Sequence, residues 1–180
     1  MYGIVNKAIQ GLIVENFGEE AWQKIKDKSG VQVDAFLSNT SYPDEMTYKL
    51  ATAASETLNL SMKDVLIAFG EYWVLNTVTK GYGSLMKSGG SSLREFLVNL
   101  PDFHSRVMLT FPNLTPPEFR VSNIKDRSLH LQYYSKREGL MYFVFGLIQG
   151  LGKSYNTDTK VTILKQKNGT YDHDEFFVEW

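Results

Sequence analysis

His104 is the side chain in this 180-residue sequence whose setting first raises a chemical question. It lies in the apolar segment "LVNLPDFHSRVML", residues 97–109. An imidazole in such surroundings needs either a hydrogen-bond partner or an ion to coordinate. A lone histidine among apolar residues is more often a structural core residue than a ligand. His104 is therefore a candidate ligand that needs support from elsewhere in the sequence.

A second set of useful side chains occurs in "YYSKR", residues 133–137. If the strand that begins near Ser128 continues through this segment, its period of two places Tyr133, Ser135 and Arg137 on one face. Two hydroxyls and a guanidinium beside an apolar surface suit an apolar ligand that carries carboxylates. Haem is such a ligand, and one imidazole is enough to hold its iron while the opposite face stays open for a gas. Solvated side chains at a sheet edge are the alternative.

Other classes of site find little support in the composition. The sequence has no cysteine, which excludes disulfides, thiolate nucleophiles and iron–sulfur clusters. The three histidines, at 104, 130 and 173, are too scattered to form a local metal motif, and "HDE" at 173–175 follows a turn in which polar residues are expected. A net charge of -1 gives no basic excess for binding nucleic acid. No segment has 18 uninterrupted apolar residues, so we expect a cytoplasmic protein without a membrane span.

Apolar residues at helical spacing predict helices over 2–16, 20–28 and 44–58. Ser61 and Asp64 have the spacing of an N-terminal cap ahead of "VLIAFGEYWVLNTV". We expect "KGYGSLMKSGG", residues 80–90, to break this helix, and Ser92 to start a further helical region. Pro101 should begin or bend the last part of that region, which carries His104. The first part of the chain is thus predicted to be mostly helical.

The character of the sequence changes after residue 117. Strand-like segments at 119–124 and 128–135 flank a polar turn, and those at 160–166 and 175–180 flank Asn168-Gly169, a strong hairpin signal. Between the two hairpins, residues 138–155 have apolar side chains at helical spacing. The predicted fold is α+β, with a helical first part and a small four-stranded antiparallel sheet into which one helix is inserted.

The order of these features resembles a known family. His104, then Pro117 in "TPPEF", then Tyr133-x-Ser135-x-Arg137 and a glycine-containing apolar helix are similar to the haem nitric-oxide/oxygen-binding (H-NOX) domain. The resemblance is to the stand-alone bacterial type, which is related to the haem domain of soluble guanylate cyclase. It runs from "MYGIVNKAI" through "AFGEYW" to the C-terminal hairpin and covers essentially the whole chain.

The resemblance implies one domain over 1–180. Residues 1–60 would form a helical subdomain, residues 61–180 the haem-ligating helices and the sheet, and the haem would be buried between them. The cofactor would be haem b, with His104 as the proximal iron ligand and Tyr133, Ser135 and Arg137 as the propionate clamp. Pro117 would press on the haem, and Ile4 or Val5 would pack against the porphyrin.

The distal side would decide which gas binds. Oxygen-binding members place a tyrosine on the late helix, and alignment by Gly146 puts Phe143 in that position. Trp73, Ala8 and Leu147 would complete a distal pocket without a hydroxyl donor, which favours nitric oxide and carbon monoxide over dioxygen. Tyr142 is one residue away, and a shift of one residue turns a side chain by about 100°. We expect Phe143 to face the iron.

The resemblance implies a gas sensor and not an enzyme. Binding of nitric oxide would weaken or break the iron–histidine bond and signal to a separate protein, such as a histidine kinase or a cyclic-dinucleotide enzyme. The alternative is a haem-free module that binds an apolar carboxylate through the same clamp without His104. A haem enzyme such as a peroxidase would ordinarily need a distal acid or base, and the sequence places none convincingly.

Overall fold

The computed structural model of the protein describes residues 1–110 and 115–180. The helices in the described chain are α1 (Gly3–Phe17), α2 (Glu19–Ser29), α3 (Asp44–Leu58), α4 (Met62–Tyr72), α5 (Thr79–Gly89), α6 (Leu93–Val98), α7 (Leu100–Thr110) and α8 (Met141–Ser154). A π-helical segment, Trp73–Val78, joins α4 to α5. The strands are β1 (Glu118–Ser122), β2 (Ser128–Tyr134), β3 (Lys160–Lys165) and β4 (Asp174–Glu179).

The helix boundaries follow the local signals in the sequence. Gly18 ends α1 with a φ of 84°, a conformation that glycine adopts without strain. Asp44 lies in the first turn of α3, where a carboxylate is favoured by the helix dipole. Ser61 caps α4, because its hydroxyl accepts a hydrogen bond of 3.1 Å from the backbone N–H of Asp64. Ser92 caps α6 in the same way through Glu95.

One predicted break is wrong. Residues 79–89 form α5, so most of "KGYGSLMKSGG" is helical. The glycines in this segment allow a bend, and Tyr82 has non-helical angles (φ -137°, ψ 31°) at a kink. The helical path therefore ends at Gly90, whose φ of 155° only glycine adopts readily.

The four strands form one antiparallel sheet in the order β1-β2-β4-β3. The two predicted hairpins are confirmed, and β2 pairs with β4 across the inserted helix α8. Leu129 and Leu131 of β2 are fully buried, as are Phe176 and Val178 of β4. This inner face packs against helices, so the α+β prediction is confirmed.

The expected course of β2 is wrong at its end. The strand stops at Tyr134, and Ser135 and Arg137 lie beyond it. The Ser135 hydroxyl accepts a hydrogen bond of 3.0 Å from the backbone N–H of Arg137, a local turn that replaces the sheet ladder. The alternation therefore places Tyr133 on the buried face with Leu129 and Leu131, but it does not extend to Ser135 and Arg137.

Buried side chains form two clusters. The N-terminal cluster is built on α1 to α4 and includes Ile13, Ile25 and Leu50, whereas the C-terminal cluster joins the sheet to α6, α7 and α8. Helices α4 and α8 cross where Gly70 and Gly146 allow their backbones to touch. A Cβ on Gly146 would lie 2.2 Å from the Ile67 carbonyl oxygen. In the described residues no helix has the length and apolarity to cross a membrane.

Candidate functional site

His104 lies on α7, where it is half-buried. Its Nδ1 is 3.2 Å from the carbonyl oxygen of Leu100, one helical turn earlier. Because a carbonyl only accepts hydrogen bonds, this contact assigns the proton to Nδ1 and leaves the lone pair of Nε2 for a metal. Burial lowers the pKa of His104, partly opposed by the Leu100 hydrogen bond. The imidazole is therefore neutral at neutral pH, which is the form that binds metal.

Aromatic rings surround this imidazole. The Phe103 ring meets it edge-on at 5.8 Å, and the Phe119 ring from β1 lies 5.0 Å away. Phe119 is also 5.3 Å from the ring of Tyr133, its register partner on β2. The candidate ligand and the clamp thus adjoin the same aromatic residue.

The three clamp residues converge, although the strand ends before two of them. Tyr133 is buried, and burial raises the pKa of its hydroxyl, while a hydrogen bond with Ser135 acts in the opposite direction. The Ser135 hydroxyl also accepts the N–H of Arg137. The two hydroxyls are therefore bonded to each other, and the turn places the backbone of Arg137 beside them.

The guanidinium of Arg137 ties the clamp to the N-terminal helices. Its Nε donates to Oδ2 of Asp44 at 2.7 Å, and Nη1 donates to the Thr115 carbonyl oxygen at 2.9 Å. Oδ1 of Asp44 also accepts from the N-terminal ammonium of Met1. Tyr48, one turn further along α3, donates to the Glu138 carbonyl oxygen at 3.0 Å. The sequence indicates Asp44 only as a helix-start residue, because spacing gives no sign of a partner 93 positions away.

The expected distal residues fall into two groups. Ala8, Trp73 and Phe143 all adjoin the N-terminal cluster, and Phe69 lies 4.9 Å from the Phe143 ring and 6.3 Å from Trp73. Leu147 packs against the C-terminal cluster. Tyr142 also packs against the C-terminal cluster, and Lys63 Nζ lies 5.4 Å from its ring centroid.

The remaining predicted contacts are at the edges of these clusters. Ile4 and Val5 of α1 are both half-buried, and Val5 packs against the N-terminal cluster. Pro117 is half-buried just before β1. The ring of Phe119, two residues later, lies 5.0 Å from the His104 imidazole.

The other two histidines meet on the sheet, which the sequence did not indicate. His130 Nδ1 is 2.8 Å from Oε1 of Glu175, and His173 Nε2 is 3.8 Å from Oε2 of the same carboxylate. Lys165 Nζ lies 2.5 Å from Oε2. In residues 1–110 and 115–180 no group of three or more histidine, aspartate or glutamate side chains is arranged to hold a metal ion. Glu175 is thus the shared partner of Lys165 and both histidine rings.

The donors described above suit a haem. A neutral imidazole with Nε2 available, aromatic neighbours and a converging set of hydroxyl and guanidinium donors match an iron porphyrin that carries two carboxylates. Half-buried apolar side chains on both clusters, including Val5 and Phe143 on one side and Leu147 on the other, could provide apolar walls. The residues that could hold the group are His104, Tyr133, Ser135 and Arg137.

Comparison with known proteins agrees with this chemistry. The family model described as "Haem-NO-binding" matches residues 2–163. The chain belongs to the haem-NO-binding family. Domains of this family, also named H-NOX, bind haem.

Curated relatives in this family are guanylate cyclases. Soluble guanylate cyclase gcy-32 of Caenorhabditis elegans is 28% identical over 169 residues, which cover 92% of this chain and 25% of the relative. Guanylate cyclase soluble subunit beta-2 of Rattus norvegicus is 33% identical over 123 residues, covering 65% of this chain and 18% of the relative. The chain spans about a quarter of the length of the first relatives that it matches.

Solved H-NOX structures have the same fold. An H-NOX protein from S. oneidensis in the Fe(II)NO ligation state superposes with a TM-score of 0.89 at 18% identity, covering 99% of this chain and 98% of that one. The Fe(II) unliganded H-NOX protein from K. algicida gives 0.86 at 20% identity, with 99% and 96% covered. At these identities the likeness establishes the fold.

Proposed function

We propose that this protein is a haem-based gas sensor that binds nitric oxide and carbon monoxide. The observation that carries the proposal is the position of His104, a neutral imidazole with Nε2 available, one aromatic ring away from the Tyr133 hydroxyl of the clamp. When bound, haem b would supply a ferrous iron that binds the gas, and His104 would be the protein ligand of this iron. The S. oneidensis H-NOX protein of the same fold is in the Fe(II)NO ligation state, which supports nitric oxide as the ligand.

The protein residues have separable tasks in this proposal. His104 holds the iron, and the Leu100 carbonyl fixes its tautomer and orientation. Tyr133, Ser135 and Arg137 bind the propionates, while Ile4, Val5 and Pro117 pack against the porphyrin. We place the haem between an N-terminal helical subdomain, residues 1–60, and the rest of the chain.

The distal residues support a preference for nitric oxide over dioxygen. Phe143 packs against Phe69 and the N-terminal cluster, and Phe69 lies 6.3 Å from Trp73. The hydroxyl-bearing Tyr142 packs against the C-terminal cluster instead, with Lys63 over its ring. Dioxygen on ferrous iron gains negative charge and benefits from a donor, while nitric oxide and carbon monoxide depend on one less. A pocket formed by Ala8, Trp73, Phe143 and Leu147 offers no hydroxyl.

Signalling would begin at α7. Release of His104 from the iron when nitric oxide binds would free this helix. A partner could then bind the two states differently, with a coupling free energy between gas binding and partner binding of about 1–3 kcal/mol. We propose a separate partner protein, a histidine kinase or a cyclic-dinucleotide enzyme, and a cytoplasmic location. A sensor in this sense has no catalytic group of its own.

Absorption spectroscopy of the purified ferrous protein tests the proposal. We expect a coloured protein whose spectrum changes with nitric oxide and carbon monoxide but forms no stable complex in air. The nitric-oxide complex should be five-coordinate. A protein that takes up no haem would defeat the proposal and favour the haem-free carboxylate-binding module, and peroxide turnover at useful rates would favour an enzyme.

The variant His104→Gly identifies the ligand. It should lose the protein bond to iron. Free imidazole, added to the variant, should restore the absorption spectrum of the wild-type protein. His130→Gln is the matched control, because His130 pairs with Glu175 on the sheet and should leave the gas spectra unchanged. Spectra of His104→Gly that equal those of the wild type would show that another residue holds the iron.

A further inference from the structure

Lys167 lies beside the clamp but has no part in the proposed function so far. It belongs to the connection between β3 and β4, which folds back towards the end of β2. Its Nζ donates a hydrogen bond of 2.8 Å to the carbonyl oxygen of Ser135, the central residue of the clamp. The side chain is half-buried, because its methylene groups lie along the protein surface before the ammonium reaches this carbonyl.

The position of Lys167 is fixed by a buried carboxylate. Its backbone N–H donates to Oδ1 of Asp174 at 2.7 Å, and Asp174 is only 6% exposed. Asp174 is also the register partner of Tyr133 between β4 and β2. Burial raises the pKa of Asp174, while the hydrogen bond and charge of Lys167 oppose this rise. Lys167 is thus anchored through its backbone to the strand that pairs with the first clamp residue.

The charge balance of the clamp calls for a second cation. A haem brings two propionates, whereas the three clamp residues carry one formal positive charge, that of Arg137. Asp44 already accepts from this guanidinium at 2.7 Å. Lys136, the neighbouring cation in the sequence, is exposed, while Lys167 reaches Ser135 itself.

The geometry of the ammonium leaves capacity for a ligand. A lysine ammonium has three donors, and one of them is used on the Ser135 carbonyl. A cavity of about 440 Å³ opens at this point, and the charged side chains that line it are Arg137, Lys167, Glu138 and Asp174. Lys167 and Arg137 therefore face the same space.

We propose that Lys167 is a fourth residue of the propionate site, and that its ammonium binds a haem carboxylate. This inference rests on the proposed function. It assigns the β3–β4 connection a direct share in retaining the cofactor. A lysine that merely satisfies a backbone carbonyl is the competing explanation, and it predicts no dependence on the carboxylates of the ligand.

The experiment compares haem retention in Lys167→Met, Lys167→Arg and the wild type. Each holoprotein is mixed with excess apomyoglobin, and the rate of haem transfer is followed by absorbance. We expect Lys167→Met to lose haem about tenfold faster or more, the effect of one charge-assisted hydrogen bond, and Lys167→Arg to stay within about twofold of the wild type. Lys160→Met is the matched control, because Lys160 lies on the same hairpin but its side chain is 78% exposed.

A second comparison replaces haem by its dimethyl ester, which has no carboxylate charge. The wild type should lose the ester faster than haem, and Lys167→Met should lose it no faster than the wild type does. Equal haem loss from Lys167→Met and the wild type would overturn the inference. An unchanged Lys167→Met effect with the ester would also overturn it, because the lysine would then act only on the fold.

The failure of this inference is distinguishable from that of the proposed function. A wild-type protein that takes up no haem defeats both. A wild-type protein that binds haem and gas as expected, beside a Lys167→Met variant with normal haem retention, defeats the role of Lys167 alone.

Discussion

The crossing of α4 and α8 makes a quantitative prediction for Gly146→Ala. The new Cβ would lie 2.2 Å from the Ile67 carbonyl oxygen and 2.9 Å from two other Ile67 backbone atoms. These contacts are about 1 Å too short, and no flexible side chain is available to move aside. Overpacking lowers the free energy of unfolding by about 1–3 kcal/mol. We expect a loss near the upper end of this range, because the atoms in the way belong to the backbone. Alanine has a higher helix propensity than glycine, which offsets up to about 1 kcal/mol of this loss in stability.

The expected net loss is about 2 kcal/mol, which corresponds to a Tm lower by about 4–8 °C for a chain of this size. Urea unfolding of the haem-free protein, followed by circular dichroism, measures it. The movement of α8 should also separate Phe143 from Phe69, whose rings are 4.9 Å apart, and so alter the gas spectra of the holoprotein.

Gly83→Ala is the matched control for this substitution. Gly83 is also helical, but nothing lies within 4 Å of its hypothetical Cβ, so alanine should be neutral or stabilising by up to about 1 kcal/mol. A Gly146→Ala protein as stable as Gly83→Ala would refute the argument that direct backbone contact holds α4 and α8 together.

Two further substitutions test the clamp and the distal side. Asp44→Asn should lower the stability of the haem-free protein by about 1 kcal/mol, since the pair with Arg137 is partly exposed and screened. Burial raises the pKa of Asp44, but hydrogen bonds from the N-terminal ammonium and Arg137 outweigh it and lower the pKa overall. The stabilisation is therefore complete above the ordinary value of 3.8 and lost as pH falls through the folded-state pKa. Urea titrations should show a wild-type advantage that disappears in acid, and an advantage that grows there would contradict this sign. Phe143→Tyr should give a ferrous dioxygen complex that persists in air. The new hydroxyl donor should lower the rate of dioxygen dissociation by about tenfold or more. Tyr142→Phe is its control, and a change in oxygen binding only in that control would show that the helix faces the other way.

The sequence predicted the elements well where the signals are local. The stripe of apolar residues in α1, the caps at Ser61 and Ser92 and both hairpins were readable because a helix or turn is decided within a few residues. The helix over 79–89 was missed because Gly81 and Gly83 suggest a loop, whereas the surrounding contacts retain the helix and concentrate the irregularity in a kink at Tyr82.

The candidate site was predictable in its residue types but not in its supports. The segment 133–137 contains its own hydroxyls and guanidinium, so the clamp could be proposed from sequence even though the strand ends at Tyr134. The partners Asp44 and Lys167 come from distant parts of the chain. Their contacts depend on how α3 and the β3–β4 connection pack. This packing cannot be predicted from the spacing of residues in the sequence.

The π-helical segment Trp73–Val78 has a consequence for the winding of the chain. Upstream of it, Gly70 meets the backbone of α8, while downstream Gly89 lies against Phe96 and Phe103 near the helix of His104. One nearly continuous helical path thus packs against α8 through α4 and against α6 and α7 through α5. The two contacts require different rotations of the helix about its axis. A π-helical turn takes one more residue than an α-helical turn, so regularising the segment with its residue number unchanged would rotate all of α5 by about 100°. The angular phase of α5 relative to α4 is therefore set by the winding of the six residues Trp73–Val78.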